Sequence, residues 1–422
     1  MKKTLFLFAF VSILSCSEIS TDDSMYLPPI SKDGESTTIP LNEALASLDD
    51  MLSEIAASTK SCDAKCYSSS DVSVIGSTKL PMTKSVPVDI PDTLMYFVNF
   101  EGNDGFAVMA GDRRLGAEVY CVTEDGSISL DDFIAAFNYL STPSVESKVS
   151  GSEEYFQDLG QTFVPALMLS SMLADLKYGL PIDENHQTKT PVATDASVLL
   201  KTKWHQDSPF NDLMPMVGTE KCPAGCVAIA CAQIMQYCKK PASPSFNGIP
   251  CSWDTMGKVC RYDDLNGYSA EGATQVAAFL KHIGHRSLCY IRYDIKGSGG
   301  YADGVVRTLK HYGYSNVKKV TGFGNTNQAK ASKMLSRGLP VYLDGSDYHH
   351  GGGHAWVIDG EWNGYFHCNW GWHGIADGYF AKHNYFPLKS RRYVDTVDPD
   401  VNVSANDNTC FDWNFRMITY SL

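Results

Sequence analysis

No stretch of about 18 consecutive apolar residues runs through the body of this 422-residue chain, so no membrane-spanning helix is expected there. No run of Lys and Arg is present either, and nothing suggests a nucleic-acid partner. Thirteen cysteines are many for this length, but no paired C-x-x-C spacing occurs, which argues against a zinc ribbon or finger; no metal or cofactor is expected. Internal repeats are absent. What remains is an ordinary globular composition, 44% hydrophobic and 20% charged, long enough for two or three domains.

The first residues differ from the rest. Lys2 and Lys3 precede residues 5–14, which are apolar except for Ser12, and Ser15 and Cys16 follow. A basic start, a short apolar core and a small residue before the cut make an export signal. Ile13-Leu14-Ser15-Cys16 also resembles a bacterial lipobox, in which the cysteine is lipidated. Residues 1–16 are therefore read as signal peptide and lipobox, with Cys16 the lipidation site, and the polar, Pro-containing residues 17–40 as a tether. Export permits disulfides, and Cys62 and Cys66 lie close enough in sequence to pair.

Charge is unevenly spread. Residues 1–200 hold 12 Lys and Arg against 29 Asp and Glu, a net of −17, whereas residues 201–422 hold 23 against 19, a net of +4. An acidic half is expected to dock on a mildly basic one. Residues 41–57 place Leu41, Leu45, Leu48, Leu52 and Ile55 at helical spacing, and residues 58–92 read as a polar loop. Residues 95–110 read as a β-hairpin, residues 115–122 as a third strand and 130–140 as a helix. Residues 180–195 are polar with two prolines: the best domain boundary and an accessible site for proteolysis, with Lys189 a candidate cut. Beyond lie helices near 225–238, 270–284, 300–312 and 327–337, then strands near 340–344, 354–359, 365–369 and 378–380. That order is α+β.

The chemistry concentrates at Cys222-Pro-Ala-Gly-Cys226. A Pro-Ala-Gly turn delivers Cys226 to the first turn of a helix of small and apolar residues. A helix N-terminus carries about half a positive charge, which favours the nucleophilic thiolate. Such a nucleophile needs a base held by a third polar group. Among eleven histidines, His354 follows the flexible Gly351-Gly352-Gly353 and opens a strand; His349 and His350 sit within the loop, and His367 inside another strand. Asn369, one hairpin away, can accept the imidazole N–H and fix its tautomer, and Trp370 beside it can exclude water. The Cys226 amide and a side-chain amide from Gln206 can stabilise an oxyanion. Cys222 has no assigned role.

Four segments together carry a resemblance: Trp204-His-Gln-Asp-Ser-Pro-Phe-Asn211, Gly225-Cys-Val-Ala-Ile-Ala-Cys-Ala-Gln-Ile-Met235, Gly353-His-Ala-Trp-Val-Ile-Asp-Gly360 and Asn369-Trp-Gly-Trp-His-Gly374. In this order they resemble the streptopain family of papain-like cysteine proteases, and the 95–110 hairpin with Gly111-Asp112 is similar to that family's propeptide. The resemblance implies an α+β propeptide domain over residues 41–190 and a papain-like catalytic domain over 191–422. It implies Cys226 as nucleophile, His354 as general base and acid, Gln206 in the oxyanion hole, and Asn369 and Trp370 as histidine-positioning and shielding residues. It also implies a zymogen whose propeptide covers the cleft until it is cut near 185–200, and protein or peptide substrates. The expected protein is a secreted or lipid-anchored cysteine endopeptidase. The alternatives are a cell-wall peptide amidase on a related scaffold and a non-catalytic surface lipoprotein that binds or inhibits.

Overall fold

The computed structural model describes residues 36–59, 65–80, 88–141, 155–178, 197–259, 269–346, 353–385 and 413–422. Cys16, Cys62, Lys189, His349, His350 and the expected 180–195 boundary lie outside them.

The described chain opens with α1 (Leu41–Thr59), whose leucine face packs on the sheet. A four-strand meander follows: β1 (Val72–Ile75), β2 (Met95–Asn99), β3 (Phe106–Ala110) and β4 (Val119–Thr123). The 58–92 segment was expected to be a loop throughout, yet Val72-Ser-Val-Ile75 is short and β-branched and pairs with β2. Helices α2 (Leu130–Ser141) and α3 (Tyr155–Tyr178) come next. After residue 197 come the two-residue ladder β5 (Met216–Val217) and β6 (Glu220–Lys221), then α4 (Cys226–Tyr237) and the ladder β7 (Ser245–Phe246) and β8 (Ile249–Pro250). Next are α5 (Trp253–Gly257), α6 (Ala270–Ile283), α7 (Ala302–His311), β9 (Ser315–Thr321), α8 (Asn325–Leu335) and β10 (Val341–Ser346). The chain ends with β11 (Gly353–Trp362), β12 (Tyr365–Asn369), β13 (Gly378–Ala381) and β14 (Arg416–Ser421).

Ten of these strands form one antiparallel sheet, in the order β1-β2-β3-β4-β13-β12-β11-β10-β14-β9. All four N-terminal strands lie together at one end. They join the others through three residue pairs, Gly378↔Thr123, Tyr379↔Val122 and Phe380↔Cys121. The N-terminal region therefore does not build a sheet of its own. It extends the C-terminal one and could leave without breaking any other ladder.

Strands β3 and β4 are buried at every position and β11 at nearly every position. Such strands have cover on both faces, which explains their unbroken apolar runs. Helix α4 supplies much of that cover. Residues 227–235 are all buried, and the helix packs on β11. Burial of that run fixes the helix, and with it the position of its first residue.

Candidate active site

Cys226 is the first residue of α4 and is partly exposed. Gly225 before it has φ 91° and ψ 128°, a conformation that residues with a Cβ avoid. A Cβ there would come within 3.0 Å of the Ser298 carbonyl and 3.1 Å of Ile291 Cγ2. Glycine thus lets the turn deliver the thiol beneath the 291–300 loop. The Cys226 and Val227 amides lie against the sulfur, as does the Ala355 amide from β11.

Those amides and the helix N-terminus favour a thiolate, but burial wins. It pushes the Cys226 thiol up to about 11, and the Asp344 carboxylate adds to the shift. His354 moves the opposite way. Burial pulls it down to about 4, against a hydrogen bond between its Nε2 and the Trp370 carbonyl at 2.8 Å. A carbonyl only accepts, so Nε2 carries a proton, and the lowered pKa favours the neutral ring near pH 7. Among the described residues, no hydrogen bond joins Cys226 to His354. The expected thiolate is therefore absent from this covered state, because desolvation outweighs the helix N-terminus.

A helix from the N-terminal region contributes to the burial of His354. Phe163 of α3 is fully buried, with its ring centroid 5.5 Å from His354, 5.6 Å from Trp356, 5.8 Å from Trp370 and 5.1 Å from Trp413. Trp372 covers the other side of the imidazole, stacked at 4.4 Å. Trp370 was expected to shield His354. Its ring lies 6.2 Å away, and its carbonyl makes the contact instead.

Asn369 does not hydrogen bond His354. Its Oδ1 accepts from Gln233 Nε2 at 2.9 Å and from the Gly371 amide at 3.2 Å, and its Nδ2 donates to the Thr202 carbonyl at 2.9 Å. Register gives the reason. Asn369 pairs with Val357, so it shares a face of the sheet with Val357 and Ala355, whereas His354 shares the other with Trp356. Gln233 in turn accepts from Thr202 Oγ1 at 2.7 Å, closing a buried network that sequence reasoning missed.

Gln206 is tied by its backbone to the turn before the nucleophile candidate. Its backbone carbonyl accepts from the Ala224 amide at 2.8 Å, two residues before Cys226. It lines a cavity of about 590 Å³ with His205, Asp207, Pro223, Lys296 and Trp372. The opposite wall comes from the N-terminal region: Phe106, Ile128, Asp132, Val164 and Pro165. The structure thus brings Gln206, Pro223 and Trp372 to one cavity, with Cys226 three residues beyond Pro223 and His354 stacked on Trp372 and packed against Phe163 of α3. Cys222 is buried beside Asn211, which donates to its carbonyl at 3.3 Å, so it is a packed thiol rather than a competing nucleophile.

Polar contacts across the same boundary match the charge asymmetry. Asp175 of α3 meets His383 Nε2 at 2.7 Å, and Glu124, just after β4, meets His367 Nε2 at 3.3 Å. In both pairs the acid comes from the N-terminal region.

Comparison with known proteins adds four findings. The family model described as Peptidase C10 family matches residues 204–380. The chain is 30% identical over 198 residues to the thiol protease/hemagglutinin PrtT of Porphyromonas gingivalis, which is 42% of this chain and 22% of PrtT. It is 30% identical over 244 residues to streptopain of Streptococcus pyogenes, 47% of this chain and 60% of streptopain. The chain thus spans less than two thirds of either curated relative. A prointerpain A fragment of Prevotella intermedia has the same papain-like α+β fold, with a TM-score of 0.50 and 20% identity over 82% of this chain and 98% of that one.

Proposed function

We propose that the chain is a member of the Peptidase C10 family, whose model matches residues 204–380, and that it is an exported bacterial cysteine endopeptidase made as a zymogen, a reading supported by its likeness to streptopain. The observation that carries the reading is Cys226 at the head of a buried helix, tied through Ala224 to the Gln206 segment, with a helix of the N-terminal region packed on His354.

In this reading residues 41–190 are the propeptide and 191–422 the catalytic domain. The acidic N-terminal region is the intramolecular inhibitor. While it is docked, Cys226 is a thiol and His354 is neutral and bound to a carbonyl, so neither proton transfer nor attack can begin. Cleavage after α3 removes Phe163 from the imidazole. His354 then regains solvent and turns toward Cys226, and the ion pair forms. The thiolate sulfur attacks the scissile carbonyl carbon. The Cys226 amide and the Gln206 side chain stabilise the oxyanion. His354 gives its proton to the leaving amine, and a water molecule, deprotonated by the same imidazole, then hydrolyses the thioester. Trp370 and Trp372 exclude other water, and Asn369 holds the strand end that carries them. Cys16 carries a lipid anchor on the precursor, which cleavage leaves behind. Cys16→Ser should then move the precursor out of the detergent phase, and unchanged partitioning would rule the anchor out.

The test is hydrolysis of casein and of purified peptidoglycan by wild type, Cys226→Ala and His354→Ala. Casein cleavage by wild type alone supports the reading. Cleavage surviving in Cys226→Ala sinks it. Release of peptides from peptidoglycan without casein cleavage favours a cell-wall amidase. No turnover, with no labelling of Cys226 by a thiol-directed peptide epoxide, favours a binding or inhibitory protein.

A further inference from the structure

His205 and His373 are 168 positions apart, and their rings stack with centroids 3.8 Å apart and planes 13° from parallel. Each is the immediate neighbour of a residue of the cleft. His205 precedes Gln206, and His373 follows Trp372, whose ring lies on His354. The two segments run side by side. The Asn369 amide group donates to the Thr202 carbonyl at 2.9 Å, and the His373 backbone N–H donates to the Trp204 carbonyl at 3.2 Å. The ring stack is the next tie along, and the last one before Gln206.

Two details indicate that the stack is more than filling. His373 has φ 62°, in the left-handed region that a residue with a Cβ normally avoids. The turn so formed sets the imidazole face to face with His205. His205 is oriented by its neighbour in either protonation state. The Asp207 backbone N–H reaches Nδ1 at 3.1 Å when Nδ1 holds a lone pair, and the Asp207 carboxylate lies 3.1 Å away to accept when Nδ1 is protonated. The plane of the ring is therefore held whichever form is present.

We propose that the stacked His205–His373 pair is a positioning device for the oxyanion-binding amide. It rests on the thiol-protease reading above. The stack locks the register of the Gln206 segment against the Trp372 turn, and the Ala224-to-Gln206 hydrogen bond locks it against the nucleophile turn. Between these two ties the Gln206 side chain is held where negative charge develops when Cys226 attacks. Neither histidine touches the substrate's reacting atoms; both act through Gln206.

The test compares two reactions of Cys226 on the same processed preparations of the full chain. Peptide hydrolysis passes through an oxyanion. Alkylation by a peptide epoxide forms no tetrahedral oxyanion at a carbonyl carbon: the sulfur bonds to a ring carbon, the C–O bond breaks, and the ring oxygen takes a proton to become a hydroxyl. His205→Ala and His373→Asn should each lower kcat about ten- to a hundredfold, the range expected when an oxyanion donor is displaced, with KM within a few-fold of wild type. Epoxide alkylation should keep the wild-type rate. The double variant should be no worse than either single one. His205→Phe, which keeps a ring against His373, should return most of the hydrolytic rate. Equal losses in hydrolysis and alkylation would mean a general disturbance of the site and overturn the proposal, as would wild-type kcat in His205→Ala or failure of His205→Phe to restore it. An inactive wild type would instead overturn the protease reading, so the two failures are told apart.

Discussion

Phe163→Ala should convert the covered precursor into one that matures quickly. The ring is fully buried and lies 5.1–5.8 Å, centroid to centroid, from His354 and three tryptophans. Truncating such a side chain costs about 3–5 kcal/mol, from lost transfer energy and the cavity left behind. At about 1.4 kcal/mol per tenfold, the docked state of α3 weakens a hundred- to several-thousandfold. The loss falls on the N-terminal cover, because α3 is not part of the catalytic region. Two assays follow. On gels, the purified variant should lose the lag before self-processing. In a Cys226→Ala background, which cannot process itself, the His354 ring should titrate closer to 6.5 than its covered value of about 4, because burial is what depresses it. Phe163→Leu should fall between the variant and wild type. A folded Phe163→Ala precursor with an unchanged lag and an unchanged His354 titration would refute the idea that this ring holds the site shut.

Two further outcomes follow from the buried polar groups. Asn369→Ala leaves Gln233 Nε2 and the Thr202 carbonyl without their partner, so it should cost about 1–3 kcal/mol in urea unfolding while leaving the His354 titration of the precursor unmoved. A shifted His354 with no loss of stability would restore the direct pairing expected from sequence. At the domain boundary, burial disfavours the His367 cation, but Asp359 and Glu124 outweigh it and raise the group to about 10 from 6.5. Its contribution is complete below 6.5 and disappears as pH rises through about 10, so the precursor's thermal midpoint should fall between pH 8 and 10. The same slope in His367→Gln would show that another group is responsible.

Much of this fold was legible because helices and strands announced themselves by period. α1, α2, α4, α6, α7 and α8 fall where the sequence placed them, as do the β2–β3 hairpin and β10 to β13. What escaped is equally physical. Residues 163–174 of α3 are buried on every side, so no stripe marks the helix, and Pro165 inside it reads as a breaker. The strand β9 is mostly exposed and alternates weakly. At the candidate site, Cys226 and Gln206 stand out in the sequence because a glycine turn and a local motif mark them. The true neighbours of Asn369 were not, because Gln233 and Thr202 lie 136 and 167 positions away. Asn369 and His354 belong to adjacent strands, but alternation sends them to opposite faces, and no spacing rule in the sequence reveals that. The His205–His373 stack is hidden in the same way, although each residue sits inside a conspicuous motif.

If the N-terminal region is a removable cover over a Cys226 active site, a time course of intact mass and N-terminal sequencing on wild type and Cys226→Ala will reveal it. Wild type should lose everything up to a cut between α3 and residue 200 as peptidase activity appears, while Cys226→Ala should stay whole and inactive. Peptidase activity in the uncut chain, or the same cut at the same rate in Cys226→Ala, would contradict that reading.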